Sequence, residues 1–133
     1  MSEVLARNRS ETKLQFFINA LKIQEEIYQL AMREKVVPKK WRYMIGYDLG
    51  KTAASMVDFI TFANSIYPQN WREKFIRYIF QLLSVAFCYI LQNRLILLER
   101  CVEKVKVENI ERLIELIAHE IILLKGWVKS SKK

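Results

Sequence analysis

The sequence predicts an all-α fold, and three observations lead to it. Only 3 glycines and 2 prolines occur among 133 residues, which are too few for the turns of a β or α/β protein. Hydrophobic residues make up 52% of the chain and recur every three or four positions, which is the period of an α-helix. Four such segments with short connections indicate an antiparallel up-down-up-down four-helix bundle. A chain of this length is expected to form one domain over residues 1–133, with a core that needs no metal or disulfide bond.

The first two helices each have one clear apolar face. Helix 1 is predicted over residues 12–34, with the inward positions Phe16, Ala20, Ile23, Ile27 and Leu30. Helix 2 is predicted over residues 39–66, with the inward positions Gly46, Leu49, Ala53, Met56, Ile60 and Ala63. The small residues on this second line would let a neighbouring helix approach closely.

The last two helices carry more apolar surface than a small bundle needs. Helix 3 is predicted over residues 69–100 and has two apolar stripes: Phe75, Ile79, Leu82, Ala86 and Tyr89, and Ile76, Phe80, Leu83, Phe87 and Ile90. Helix 4 is predicted over residues 107–129, with the ladder Val107, Ile110, Ile114, Ile117, Ile121, Leu124 and Val128 and a second line of Leu116, Leu123 and Trp127. Since a helix that is apolar nearly all round is buried on more than one side, both helices predict a subunit interface.

The charge of the chain favours an anionic partner. The formal net charge is +8, which is typical of proteins that bind nucleic acid or another anionic surface; the alternative is that the cations serve solubility alone. The N-terminus has no apolar signal segment. The longest uncharged apolar run, Leu82 to Leu91, is shorter than the ~20 residues of a bilayer span. We therefore expect a cytoplasmic protein without a membrane partner.

Both prolines are followed by basic residues at a predicted helix start. The Pro38 cluster consists of Lys39, Lys40, Trp41 and Arg42, and the Pro68 cluster consists of Trp71, Arg72, Lys74 and Arg77. Because a helix N-terminus prefers acidic neighbours by about 0.3–1 kcal/mol per group, these cations indicate an anionic partner. The two tryptophans could stack on nucleic-acid bases. The alternative is that they close the ends of the bundle while the cations are only solvated.

The bundle topology would place the Pro68 cluster and both chain termini at one end. That end would gather Arg7, Arg9, Arg72, Lys74, Arg77, Lys125, Lys129, Lys132 and Lys133 against Glu3, Glu11 and Glu73. Lys129, Lys132 and Lys133 of the basic C-terminal tail, residues 129–133, are therefore further candidates for nucleic-acid or partner binding. They carry less information than the Pro68 cluster, because the C-terminal dipole of a helix also favours cations.

The residues that catalysis or metal binding would need are missing from the sequence. The single histidine, His119, follows Glu115 by four residues, whereas a di-iron bundle needs two Glu-x-x-His pairs and two further carboxylates. No glycine-rich phosphate loop and no nucleophile motif occurs. We expect a protein that is not an enzyme and holds no cofactor or metal.

Three short motifs resemble a known family. They are Pro38-Lys39 with Trp41-Arg42-Tyr43 and Gly46, then Ala63-Asn64, and finally Gly126-Trp127-Val128-Lys129-Ser130. In this order they resemble the accessory variability determinant proteins of diversity-generating retroelements. The four-helix proteins encoded in intervening sequences of bacterial 23S rRNA genes belong to the same broader group. The resemblance extends from about Leu14 to Ser130.

The resemblance implies a basic four-helix bundle that assembles into a barrel-like homopentamer. Such a protein binds the reverse transcriptase of the element and its RNA, and it supports mutagenic copying of a template repeat into cDNA. It has no catalytic activity of its own. On this comparison Lys39 and Arg42 match the basic opening of helix 2, and Trp127 matches the closing aromatic residue.

Two other functions stay open at this point. One is a structural or protein-interaction bundle of the rRNA intervening-sequence type, and the other is a protein of the membrane surface. The genes beside this one distinguish the first alternative, because a reverse transcriptase gene and a variable repeat accompany a retroelement. Sedimentation with liposomes distinguishes the second.

Overall fold

The computed structural model describes residues 2–33, 35–102 and 107–132, with side chains described from Gln15 onward except at Val107. The helices are α1 (Ser2–Met32), α2 (Tyr47–Asn64), α3 (Trp71–Cys101) and α4 (Val107–Ser131). A 3-10 turn, Lys39–Trp41, and a π-helical segment, Arg42–Gly46, precede α2. The described ranges contain no strand, so the predicted all-α, four-helix architecture is confirmed.

Two predicted helix starts are wrong. α1 begins at Ser2 rather than at residue 12, because the first turns contain no glycine or proline that would stop a helix. Its predicted end, residue 34, lies outside the described residues. α2 begins at Tyr47 rather than at residue 39, since the chain after Pro38 first makes the 3-10 turn and then the π-helical segment, which buries Ile45 and Gly46.

The remaining ends fall close to their predicted positions. α2 ends at Asn64, two residues before residue 66, and α3 begins at Trp71 rather than at residue 69. α3 continues to Cys101, where the sequence offers no stop signal, and residues 103–106 lie outside the described part of the chain. α4 extends to Ser131.

One hydrophobic core is built from all four helices. The predicted inward lines of α1 and α2 are buried at every position, so both predictions are confirmed. Gly50 on α2 allows a close approach, because a Cβ atom there would lie 3.3 Å from the Tyr28 ring of α1. The polar contacts between neighbouring helices join Asp48 to Arg94, Arg77 to Ser131, and Glu26 to Arg112.

The buried line of α3 differs from both predicted stripes. It consists of Gln81, Ser84, Val85, Cys88, Leu91, Leu95 and Leu98. The stripe from Phe75 to Tyr89 is exposed at all five of its positions, and the second stripe is half-buried except at its exposed first residue, Ile76. The N-terminal half of α3 therefore turns small and polar side chains inward and large apolar side chains outward.

α4 uses both of its apolar lines within its own bundle. Ile110, Ile117 and Leu124 are fully buried, and Leu116, Leu123 and Trp127 pack half-buried against the same core. The Trp127 ring stacks on Phe16 of α1 with 4.4 Å between the ring centroids. The second line is therefore not surplus surface, and the inference of a subunit interface on α4 was wrong in this respect.

α3 is also long and apolar enough to cross a bilayer by length and composition. Only 28% of its most apolar 18-residue window is buried in the single chain, and the other positions are half-buried or exposed. The uncharged run from Leu82 to Leu91 is too short for a membrane span. The 18-residue window is longer because it can contain flanking charged residues.

Candidate functional site

The first turns of α3 and the last turns of α4 form an open groove of about 480 Å³. Three aromatic side chains line it, Trp71, Phe75 and Tyr78, and three cationic ones, Lys74, Arg77 and Lys132. All the residues from α3 share one helical face because they are spaced by three or four positions. The groove therefore contains most of the Pro68 cluster and one residue of the basic tail.

Asn70 fixes the start of α3 and with it one wall of the groove. Its side-chain oxygen accepts a hydrogen bond from the Glu73 backbone N–H at 2.9 Å, which is an N-cap. The Glu73 carboxylate accepts a hydrogen bond from the Gln69 backbone N–H at 2.7 Å. Glu73, the acidic residue within the Pro68 cluster, is thus held at the helix end, where the dipole favours a negative charge.

Hydrogen bonds from α3 hold the last turn of α4 against it. Arg77 Nη2 donates to the Ser131 backbone oxygen at 3.2 Å, and Gln81 Nε2 donates to Ser131 Oγ at 3.1 Å. Arg77 Nε is shielded from solvent and has no hydrogen-bond partner among the described residues. These contacts bring the tail lysine Lys132 to the groove.

Two cation–π contacts place positive charge on rings of α3, the half-buried Tyr78 and the exposed Trp71. The Lys132 Nζ atom lies 5.1 Å from the centroid of the Tyr78 ring, and the Arg72 guanidinium lies 5.4 Å from that of Trp71. Trp71 is 72% exposed. Within residues 15–33, 35–102 and 108–132, no cation of the groove forms an ion pair with a carboxylate. The positive charge of the groove is therefore not neutralised by these residues.

Other predicted residues at this end lie outside the groove. Arg72 and Lys129 are exposed but do not line it. Lys133 lies outside the described residues, as do the side chains of Arg7 and Arg9. The predicted concentration of charge at this end is thus supported for α3 and α4 only.

The Pro38 cluster has a different form. Lys39 and Lys40 are exposed, and Lys40 Nζ lies 6.0 Å from the Trp41 ring centroid. Trp41 itself packs half-buried against the core, as the alternative interpretation proposed. Arg42 is half-buried, and its Nε has no hydrogen-bond partner among the described residues. The 18 residues of α2, about 27 Å of helix, separate the two clusters, so they form two sites rather than one.

A buried carboxyl group that sequence reasoning missed lies between α3 and α4. Glu120 is fully buried, and neither carboxyl oxygen has a hydrogen-bond partner among the described residues. Burial raises the pKa of Glu120 to about 9. Burial and the charge of Glu120 together raise the pKa of the Cys88 thiol above its ordinary range. The signal was available, because position 120 lies between Ile117 and Leu124 on the buried line.

The described residues do not assemble into a metal site. No group of three or more His, Cys, Asp or Glu side chains comes together within the described ranges. His119 is exposed on α4. Cations and aromatic rings come together in the groove, where they can contact an anionic or aromatic ligand.

Sequence reasoning found the cations of the groove but not its full lining. Phe75 had been assigned to an apolar stripe and Tyr78 to no site at all. The signal was the series 71, 74, 75 and 78, which places three rings and one base on one helical face. Ser131 lines the groove because the end of α4 packs against α3. No pattern in the sequence indicated that contact.

Comparisons with known proteins do not assign this chain to a family. No protein-family model matches the chain, and no curated protein matches it. The resemblance to accessory variability determinant proteins therefore stays a prediction that rests on the motifs which carry it.

Proposed function

We propose that this protein is a non-catalytic nucleic-acid-binding bundle and that the groove between α3 and α4 is its main binding surface. The observation that carries the proposal is the groove itself, with three unneutralised cations beside three aromatic rings. Lysine and arginine bind phosphates, and exposed rings stack on bases. The net charge of +8 adds a general attraction to polyanions.

The biological setting we propose is that of a diversity-generating retroelement. There the protein would bind the reverse transcriptase and the template RNA or its cDNA, and so support mutagenic retrohoming in the cytoplasm. This part rests on the resemblance, to which the four-helix architecture conforms. Neither a cofactor nor catalysis by the chain itself is part of the proposal.

The Pro38 cluster is the surface we propose for the polymerase. Beside its cations lie three exposed side chains, Tyr43 at 90%, Met44 at 74% and Tyr47 at 67%. Tyrosine, methionine and arginine are enriched in protein–protein interfaces, whereas lysine is depleted in them. This composition fits a protein partner better than a phosphate backbone alone.

Oligomerisation, with a homopentamer implied by the resemblance, is also part of the proposal. The contacts between neighbouring helices agree with the up-down-up-down course expected of each subunit. Support for assembly comes from the part of the outward stripe of α3 that lies beyond the groove, where Ile79 is 39% exposed and Leu82 is 44% exposed. Contiguous apolar surface of this kind marks interaction sites.

Multi-angle light scattering tests this assembly. We expect an oligomer for the wild type and a smaller species for Leu82→Lys. A wild-type monomer at micromolar concentration contradicts the proposed oligomerisation.

The test of nucleic-acid binding is an affinity measurement over a range of salt concentrations. A labelled RNA should bind tightly at low salt, and log K should fall by about 0.7 per contacted phosphate for each unit of log salt for a single strand. Failure to bind any RNA at low salt would remove the proposed function. A pull-down of the neighbouring reverse transcriptase tests the retroelement setting separately.

A second function is favoured by the exposed face of α3. In a structural or protein-interaction bundle of the rRNA intervening-sequence type, that face would bind protein and the cations would be solvated. Such a protein would show the oligomer without the RNA affinity. The same apolar face of α3 could instead contact a membrane, and liposome sedimentation tests that contact.

A further inference from the structure

We propose that the groove between α3 and α4 binds single-stranded nucleic acid, with an unpaired base stacked on Trp71 and neighbouring phosphates held by Lys74 and Lys132. The inference rests on the proposed nucleic-acid function and names the form of the ligand. It depends on three features: the exposure of the rings, the placement of the cations and the size of the groove.

The exposure of Trp71 is unusual within this chain. Trp41 and Trp127 both pack against the core, whereas Trp71 is 72% exposed and does not. Phe75, one turn further along α3, is 57% exposed. The Arg72 guanidinium lies over the Trp71 ring and adds a cationic plane. An exposed ring flanked by a guanidinium is the stacking platform that single-strand binding proteins use.

The cations flank these rings from two helices. Lys74 belongs to α3 and Lys132 directly follows the end of α4, so two separate segments each contribute a positive charge to the groove. Arg77 already donates to the Ser131 carbonyl through Nη2, whereas neither lysine makes such a bond to the part of the chain that the structure describes. The flexible lysine side chains can reach the phosphates of a single strand whose backbone conformation varies.

The groove size favours a nucleotide over a duplex. Its volume of about 480 Å³ falls within the range of sites for small molecules. A duplex keeps its bases stacked on each other and presents only phosphates and groove edges to a protein. The rings of Trp71 and Phe75 would then have no base face to bind. An unpaired strand can use both the rings and the cations.

The experiment compares two probes of equal length. One is a fluorescein-labelled oligouridylate of about 12 nucleotides, within the site sizes of single-strand binding folds, and the other is an RNA duplex. Trp71→Ala should lower the affinity for oligouridylate by about 5- to 100-fold and leave the affinity for the duplex unchanged. Trp71→Phe should recover most of the loss. The matched control is Tyr67→Ala, an exposed ring that does not line the groove, with a change below about twofold.

The outcomes separate the inference from the function on which it rests. An equal loss for both probes, or no loss for oligouridylate, overturns single-strand stacking. In that case the nucleic-acid function still holds if Lys74→Ala combined with Lys132→Ala weakens both probes. If the wild type binds neither probe at low salt, both proposals fail. Circular dichroism of each variant checks that the helices are intact, which the exposure of Trp71 predicts.

Discussion

The two basic clusters look alike in the sequence and differ in the folded chain. Each follows a proline and combines lysines, an arginine and a tryptophan. The Pro38 cluster lies on one short segment, and its tryptophan packs against the core. The Pro68 cluster lines a groove to which a second helix adds Lys132, and its tryptophan is exposed. A run of basic residues becomes a shaped site only where another element supplies the opposite wall.

The surroundings of the two clusters differ as well. The Pro38 end is closed by the apolar side chains of Val37 and Ile45. On the other side, a line of buried polar groups runs along the seam between α3 and α4, with Gln81 at the groove, then Ser84, and Glu120 further inside. Gln81 and Ser84 are hydrogen-bonded, whereas Glu120 has no hydrogen-bond partner among the described residues. Because a buried polar group without a partner weakens a fold, the groove lies at the end of a seam with one costly buried carboxyl group.

The largest effect we expect concerns Glu120 and the pH dependence of stability. Its pKa of about 9 in the folded chain exceeds the ~4.3 of an unfolded glutamate, so the folded state keeps a proton that the unfolded state releases. The corresponding stability is fully present below about pH 4 and is lost as the pH rises towards 9, by up to about 1.4 kcal/mol per pH unit. Glu120→Gln should flatten this decline.

Urea unfolding at several pH values between 5 and 8 measures the decline. The control is Glu115→Gln, an exposed carboxylate on the same helix, which should leave the profile of the wild type unchanged. If Glu120→Gln and the wild type have parallel profiles, the α3–α4 seam does not contain the buried proton that we infer.

The next effect compares the two cluster tryptophans. Trp41→Ala should lower the free energy of unfolding by about 2–3 kcal/mol, somewhat less than a fully buried tryptophan, because its ring is half-buried against the core. Trp71→Ala should change it by no more than about 0.5 kcal/mol, since the ring is mostly exposed. Denaturation followed by circular dichroism measures the free energy of unfolding of both variants. Equal losses would contradict the structural difference between the two clusters.

The smallest effect concerns the cap of α3. Asn70→Ala removes the acceptor for the Glu73 N–H and should destabilise the chain by about 1 kcal/mol. Asn93→Ala, at an exposed position in the middle of the same helix, should be neutral or slightly stabilising. The 3-10 turn of the Pro38 cluster has no side-chain cap, whereas α3, which forms one wall of the groove, begins at the Asn70 cap. A neutral Asn70→Ala would show that the groove wall does not need its cap.

The helices themselves could largely be predicted from the sequence. In α1 and α2 a single apolar line, such as Ile23 to Ile27 or Met56 to Ile60, determines which face is buried. α3 is apolar nearly all round, so its pattern could not identify the inner face. Small side chains such as Ser84 and Cys88 turned out to face the core, because they allow the neighbouring helices to approach.

The site could be predicted only in part. The cations Lys74 and Arg77 were visible as a charge pattern that opposes the helix dipole. The groove also needs Lys132 and Ser131, whose position depends on the tertiary pairing of α3 with α4. Trp41 and Trp71 had equivalent sequence contexts, and only the folded chain separates the core residue from the exposed one.

The most direct test of the account compares two double variants in their affinity for a single-stranded RNA over a range of salt concentrations. Lys74→Ala with Lys132→Ala removes two groove cations, and Lys39→Ala with Lys40→Ala removes two from the Pro38 cluster. We predict that the groove variant loses at least about tenfold in affinity at low salt and that its salt slope falls by about 1.4. The Pro38 variant should stay within about twofold of the wild type. A larger loss in the Pro38 variant than in the groove variant would contradict the assignment of the groove as the nucleic-acid site.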